Sequence, residues 1–315
     1  MSIVNSPELP PIALIAGPTA SGKSDLAVRL AQALEAREKR AAVINADSAQ
    51  VYADLRVLSA RPSEEEMGGI EHRLFGTWDG ATPCSAADWA ASAKREIAAL
   101  HAEDVVPILC GGTGLYLRTL LEGIAPVPRI NSDVRKAVRS LTQSEARAAL
   151  EAEDPEAAGR LAPADMARTM RALEVVRATG RLLKDWQAQK TGGIGDKITL
   201  HPLVLLPDRE WLYERCDRRF GQMFDGGAVE EVTLLLDRDL DPALPVMRAI
   251  GVPEISAFLQ GELSRDEAIV AGQTATRRYA KRQYTWFAHQ PPVWWPRVSN
   301  NMLDMEISFV SLLRE

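Results

Sequence analysis

Gly17-Pro18-Thr19-Ala20-Ser21-Gly22-Lys23-Ser24 satisfies the pattern GxxxxGK[ST]. An apolar run at residues 12–16 precedes it, and helix-compatible sequence starts near Gly22. Strand, glycine loop and helix in that order make a phosphate cradle. Glycines let backbone N–H groups curl around phosphate oxygens, and the helix start adds its dipole. Lys23 is placed to reach a bridging or terminal phosphate, and the Ser24 hydroxyl to ligate Mg²⁺. The loop does not say which phosphate compound it holds; a nucleoside triphosphate is the default.

Outward from the loop the same rhythm continues. Residues 41–45 read as a second strand ending at Asp47-Ser48. Residues 86–101 have helical periodicity, with Trp89, Ile97 and Leu100 among the apolar positions. Residues 105–110 form a third strand before Gly111-Gly112-Thr113-Gly114, residues 203–206 a further one, and Val293-Trp294-Trp295 a short last one. Strands alternating with helices predict βαβ units, hence an α/β fold with a parallel sheet. Functional loops then gather at the carboxyl ends of the strands, where all these polar loops lie.

Strand signals vanish between Pro126 and about Gly195, where the chain is rich in Ala, Arg and Glu. The reading is a P-loop core, residues 1–127 and 196–315, interrupted by an all-helical domain at residues 128–195. That insert carries 12 Lys and Arg against 9 Asp and Glu, although the whole chain is at −6. A locally basic segment in an acidic protein argues against a general nucleic-acid coat and for one confined anionic contact.

The 315 residues, 46% hydrophobic and 25% charged, are those of an ordinary soluble protein. No apolar run approaches the roughly 18 residues that span a bilayer, and no signal peptide is expected. Cys84, Cys110 and Cys216 are widely spaced and form no CxxC pair, so neither zinc nor a disulfide framework is implied. A cytoplasmic monomer is expected. His72, His101, His201 and His289 have no metal-ligand spacing.

Further motifs resemble the tRNA dimethylallyltransferase family. Its form of the P-loop is the octet above. Asp47-Ser48-Ala49-Gln50-Val51-Tyr52 resembles its DSxQVY element and Gly111–Leu117 its GGTGLY loop. Arg171-Ala172-Leu173-Glu174-Val175 matches RALEV, and Arg219-Phe220 with Met223 resembles RF..M. Thr276-Arg277-Arg278 through Ala280-Lys281-Arg282-Gln283, with Trp286-Phe287, resembles TRxxAKRQ..WF. The matches run in one order over nearly the whole chain. Departures are Arg61 for the family's Lys, Val252-Pro253 in its IGYxE-like element, and Ala164 for an Asn.

The resemblance implies transfer of a dimethylallyl group from dimethylallyl diphosphate to N6 of an adenine. That base is 3′-adjacent to the anticodon of tRNAs reading codons that begin with U, and diphosphate leaves. The P-loop residues Gly17, Pro18, Thr19, Ala20, Ser21, Gly22, Lys23 and Ser24 would hold the diphosphate, with Mg²⁺ on Ser24 and Arg219 on the developing charge. Asp47 is either the base that takes the N6 proton or a magnesium ligand. Asp47, Ser48, Ala49, Gln50 and Thr113 would read the turned-out base, with Thr113 also in the catalytic set. Arg135, Arg168, Arg248, Arg277, Arg278, Lys281 and Arg282 would hold the anticodon stem-loop. Residues three and four apart share a helix face, so the last four form a stripe. Alternatives are a P-loop kinase using ATP, a non-catalytic RNA-binding module, and an adenylate prenyltransferase.

Overall fold

The computed structural model describes residues 9–299 and 304–314. Its strands are β1 (Pro11–Ala16), β2 (Ala41–Asn45), β3 (Glu71–Arg73), β4 (Val106–Gly111), β5 (Thr199–Leu205) and β6 (Arg297–Val298). They form one sheet in the order β3-β2-β4-β1-β5-β6, and each neighbouring pair is parallel. The α/β expectation with a parallel sheet holds.

Period-two alternation explains why both faces are covered. Ile12, Leu14 and Ala16 of β1 point into one apolar cluster, Ala13 and Ile15 into the other. Parallel strands buried on two faces read as continuous apolar runs, which is why β1, β2 and β4 were legible.

The helices of the first half are α1 (Lys23–Glu35), α2 (Glu64–Met67), α3 (Ala86–Ala102) and α4 (Gly114–Glu122). Then come α5 (Ser132–Arg139), α6 (Gln143–Glu153), α7 (Pro155–Arg160), α8 (Met166–Thr179) and α9 (Leu183–Gln187). The chain returns with α10 (Arg209–Met223), α11 (Val229–Leu236), α12 (Val252–Leu259), α13 (Arg265–His289), α14 (Met305–Ser308) and α15 (Val310–Arg314). The long α13 starts at a capping box: the Ser264 hydroxyl accepts from the Glu267 amide and the Glu267 carboxylate accepts from the Ser264 amide.

Three details differ from expectation. β5 begins at Thr199, before the apolar run, because its first residues pair with β1 while only its last four are buried. Val293-Trp294-Trp295 is a turn, closed by the Trp295 amide donating to the Pro292 carbonyl at 3.1 Å. The last strand lies just beyond it, and Val204 N–H reaches the Pro296 carbonyl at 2.9 Å. The three-residue β3, Glu-His-Arg, carries no apolar signal.

The chain divides into two compact units, residues up to Leu121 with those from Ile194 onward, and Glu122–Gly193. The second unit has its own core of Val138, Ala146, Leu150, Ala157, Ala158, Ala172 and Leu173, where alanines let α6, α7 and α8 approach closely. Glu174 is buried there, its carboxylate 3.1 Å from Arg139, 3.7 Å from Arg171 and 3.9 Å from Arg135. A bridge between Ile124 and Thr191 joins the ends of this unit.

Candidate active site

Steric necessity shapes the P-loop. A Cβ on Gly17 would lie 2.5 Å from the Leu205 carbonyl oxygen, so only glycine lets the loop leave β1 this close to β5. Gly22 has φ 90°, the left-handed turn from which α1 starts. The Lys23 ammonium donates to the Pro18 carbonyl at 2.6 Å, folded back over the loop. Its pKa is lowered, chiefly by burial. Beneath it, burial pushes the Cys110 thiol up to about 11, so this sulfur stays protonated.

Elements far apart in sequence are tied to this loop. The Gln283 side chain of α13 accepts from the Thr19 amide at 2.8 Å and donates to the Gly112 carbonyl at 2.9 Å. The Thr113 hydroxyl accepts from the Ser48 amide at 2.9 Å and donates to the Ser48 hydroxyl at 3.2 Å. Thr113 thereby fixes the turn that carries Asp47, whose own Oδ1 accepts from the Ala49 amide at 2.9 Å. The Arg219 guanidinium donates to the Thr19 hydroxyl, and burial lowers its pKa.

Two cavities meet here. One is lined by Thr19 through Ser24, Gly111, Arg215 and Arg219, which bring backbone amides and cations, and by the carboxylates of Asp25, Asp47 and Glu66. The other, about 320 Å³, has Asp47, Ser48, Ala49, Tyr279 and Arg282 on its polar side, and Leu55, Leu58, Phe220, Met223 and Ile250 among its apolar lining. Thr19, Asp47, Ser59 and Arg219 line both. A carboxylate and a guanidinium therefore stand where the polar hollow of the P-loop opens into an apolar one.

The remaining sequence candidates separate by environment. The Gln50 amide donates to the Ser59 and Ala60 carbonyls at 3.0 and 2.9 Å, so it braces a loop of the cavity wall. Arg248 lines the apolar cavity and donates to the Ala243 carbonyl. Arg277 is held by Asp217, at 2.6 and 2.7 Å to the two carboxylate oxygens. Arg278, Lys281 and Arg282 are exposed on α13, with Arg282 lying 5.6 Å from the centre of the Tyr279 ring. Arg135 and Arg168 belong to the inserted unit. There Arg135 lines a basic hollow with Arg129, Lys136 and Arg139, and Arg168 lies 3.3 Å from Asp165.

Arg61, in place of the family's Lys, donates to the Tyr52 carbonyl at 3.3 Å and packs against Gly76. Pro253 sits in the first turn of α12, where a missing N–H costs little. Ala164 precedes Asp165, which caps α8 by accepting from the Arg168 amide at 3.2 Å.

The sequence reading passed over Tyr279, Gln283 and Glu231. Tyr279 and Gln283 flank the basic residues of α13 at inward spacing, so counting charges missed them. The Tyr279 hydroxyl lies beside the Thr113 and Ser48 side chains; burial and the Asp47 charge raise its pKa, keeping it protonated. Glu231 accepts from three successive amides, Arg56, Val57 at 2.8 Å and Leu58 at 2.9 Å, and so clamps the cavity loop to α11. Only the fold brings that carboxylate to the loop.

A phosphate cradle that opens onto an apolar cavity across an acid and a cation defines a P-loop group-transfer enzyme. The chain belongs to the IPP transferase family, whose model matches residues 50–290. It is 67% identical to the tRNA dimethylallyltransferase of Erythrobacter litoralis over 98% of this chain and 97% of that one. The crystal structure of the tRNA isopentenylpyrophosphate transferase of Bacillus halodurans superposes with a TM-score of 0.67 at 30% identity, covering 96% of this chain and 94% of that one. A eukaryotic dimethylallyltransferase captured acting on tRNA gives a TM-score of 0.73 at 27% identity, covering 88% and 69%. Among the described residues no helix is long and apolar enough to cross a membrane.

Proposed function

We propose that this transferase moves a dimethylallyl group from dimethylallyl diphosphate to N6 of the adenine 3′-adjacent to the anticodon of tRNA. Diphosphate is released. The observation that carries the reading is the seam of Thr19, Asp47 and Arg219 shared by the polar and apolar cavities. A donor with a diphosphate head and a hydrocarbon tail has the same division.

The P-loop amides, Lys23 and Arg219 hold the diphosphate. As the allylic C–O bond breaks, its electron pair goes to the bridging oxygen, and these donors stabilise the charge that grows there. The N6 lone pair of adenine is delocalised into the ring, so attack needs help. As the C–N bond forms, the Asp47 carboxylate accepts the N6 proton. The Ala49 amide holds one of its oxygens at 2.9 Å. Thr113 and Tyr279 position the Asp47 turn, Ser48 and Ala49 border the base, and Gln50 braces the wall.

Among the described residues no three His, Cys, Asp or Glu side chains converge as a metal cage. The Ser24 hydroxyl, lining the phosphate cavity, fits Mg²⁺, which takes most ligands from water and substrate phosphates. When bound, it neutralises the leaving diphosphate. Arg135, Arg168, Arg278, Lys281 and Arg282 hold the RNA backbone, and Arg248 the rim of the apolar cavity. The enzyme works as a monomer in the cytoplasm.

The test incubates purified protein with dimethylallyl diphosphate, Mg²⁺ and an anticodon stem-loop, and follows diphosphate release and RNA mass. One dimethylallyl group gained per RNA is expected. Phosphoryl transfer from ATP without use of the prenyl donor would overturn the reading in favour of a kinase. Preference for AMP over the stem-loop would overturn the RNA acceptor.

A further inference from the structure

Helix α10 presents Cys216, Arg219, Phe220 and Met223 to the apolar cavity, positions spaced as one helical face. Arg219 lies at the seam with the phosphate cavity; Phe220 and Met223 line only the apolar one. Phe220 is 4% exposed. Behind it runs α13, and there the helix has Gly272: a Cβ at that position would lie 1.9 Å from the ring carbon Cζ. The tip of the Phe220 ring therefore rests on the α13 backbone. The ring fills the space between the cavity and the helix, and it cannot retreat.

We propose that Phe220, backed by Gly272, is the end stop that limits the prenyl donor to a single five-carbon unit. The inference rests on the prenyl-transfer reading above. It adds the residue pair that excludes longer allylic diphosphates. A chain whose diphosphate is fixed on the P-loop extends past Arg219 into the apolar cavity. Its length is set by the first wall that cannot yield. Close-packed interiors transmit such limits, because a ring pinned against backbone has no lower-energy place to go. Truncating Phe220 opens the space in front of Gly272. Adding a methyl at Gly272 drives the ring toward the cavity.

The experiment compares kcat/KM for dimethylallyl and geranyl diphosphate with an anticodon stem-loop as acceptor. Phe220→Ala should raise the geranyl-to-dimethylallyl ratio at least tenfold over the unaltered protein. Phe220→Leu should move it in the same direction, and serves if the alanine variant folds poorly. Gly272→Ala should lower use of dimethylallyl diphosphate, and by less in the Phe220→Ala background, because no ring is left to displace. A ratio unmoved in variants that still transfer dimethylallyl would overturn the end stop. So would an unmoved ratio with a raised KM for the RNA, which would place the base against Phe220. If the unaltered protein transfers no dimethylallyl group, it is the functional reading that fails.

Discussion

Gln283 and Thr19 lie 264 positions apart, yet the Thr19 amide donates to the Gln283 side chain at 2.8 Å. The other end of the same amide group donates to the Gly112 carbonyl at 2.9 Å. One buried side chain thus holds the P-loop, the loop after β4 and the C-terminal half of α13 in register. A buried amide that satisfies two backbone groups is costly to remove, about 1–3 kcal/mol for each group left unpaired.

Replacing Gln283 with Leu keeps the volume and removes both partners. The P-loop then loses a fixed point beside the diphosphate, not a ligand to it. KM for dimethylallyl diphosphate is expected to rise roughly 10-fold or more, following that unsatisfied-group cost. The RNA dissociation constant should change little. Steady-state kinetics with each substrate varied in turn will check this. A rise confined to the RNA term would disprove the P-loop role.

Asp47→Ala removes the carboxylate at the seam while the Thr113–Ser48 contact that shapes the turn uses other atoms. Turnover is expected to fall roughly 10²–10⁴-fold, the usual worth of a positioned base. RNA affinity should stay within a few-fold. Single-turnover assays at saturating donor separate chemistry from binding. Near-normal turnover would remove Asp47 from the base role, and a fall that high Mg²⁺ reverses would make it a metal ligand.

Much of this site was legible because its chemistry demands particular residue types at fixed spacing. Gly17 to Ser24, Asp47 and Arg219 could be marked from motifs, and of these Thr19 to Ser24, Asp47 and Arg219 line the cavities. Other parts are invisible in one dimension. Glu231 gives no sign that three amides at 56–58 will converge on it. Gln50 has the polarity of a base reader, but its amide braces the Ser59 and Ala60 carbonyls. Strand β6 is two residues long and exists only because Val204 and Leu205 pair with it. Charge alone could not separate Arg277 from its neighbours on α13; the position of Asp217 does.

Lys23 gives a pH prediction whose sign is fixed. Its pKa lies below the ordinary lysine value, chiefly through burial, so the folded protein binds this proton more weakly than the unfolded chain does. Lys23 therefore disfavours folding at neutral pH, and that penalty fades as pH rises through the alkaline range. Donor binding moves the other way. A bound diphosphate stabilises the ammonium and raises its pKa, so binding takes up protons once the free lysine begins to titrate. The dissociation constant of diphosphate should increase as pH rises through that range. Calorimetry in buffers of different ionisation enthalpy should detect the proton. Lys23→Met should bind weakly at all pH values and lack the alkaline limb; a limb that persists would assign it elsewhere.

The basic residues of α13 separate into two kinds, and salt dependence tells them apart. Arg282 is exposed beside Tyr279 at the cavity, where it can meet an RNA phosphate. Each phosphate contact adds about 0.7–0.9 to the slope of log affinity against log salt. Arg282→Ala should therefore reduce that slope by about 1 and weaken RNA binding mainly at low salt. Arg277 is already engaged by both oxygens of Asp217. Arg277→Ala should leave the slope nearly unchanged and cost up to about 1 kcal/mol of folding stability, as a partly exposed ion pair would. Binding isotherms at several salt concentrations, with thermal melts of the same proteins, make the comparison. An equal loss of slope in both variants would mean that the Asp217 pair opens to receive RNA and that Arg277 is a phosphate ligand after all.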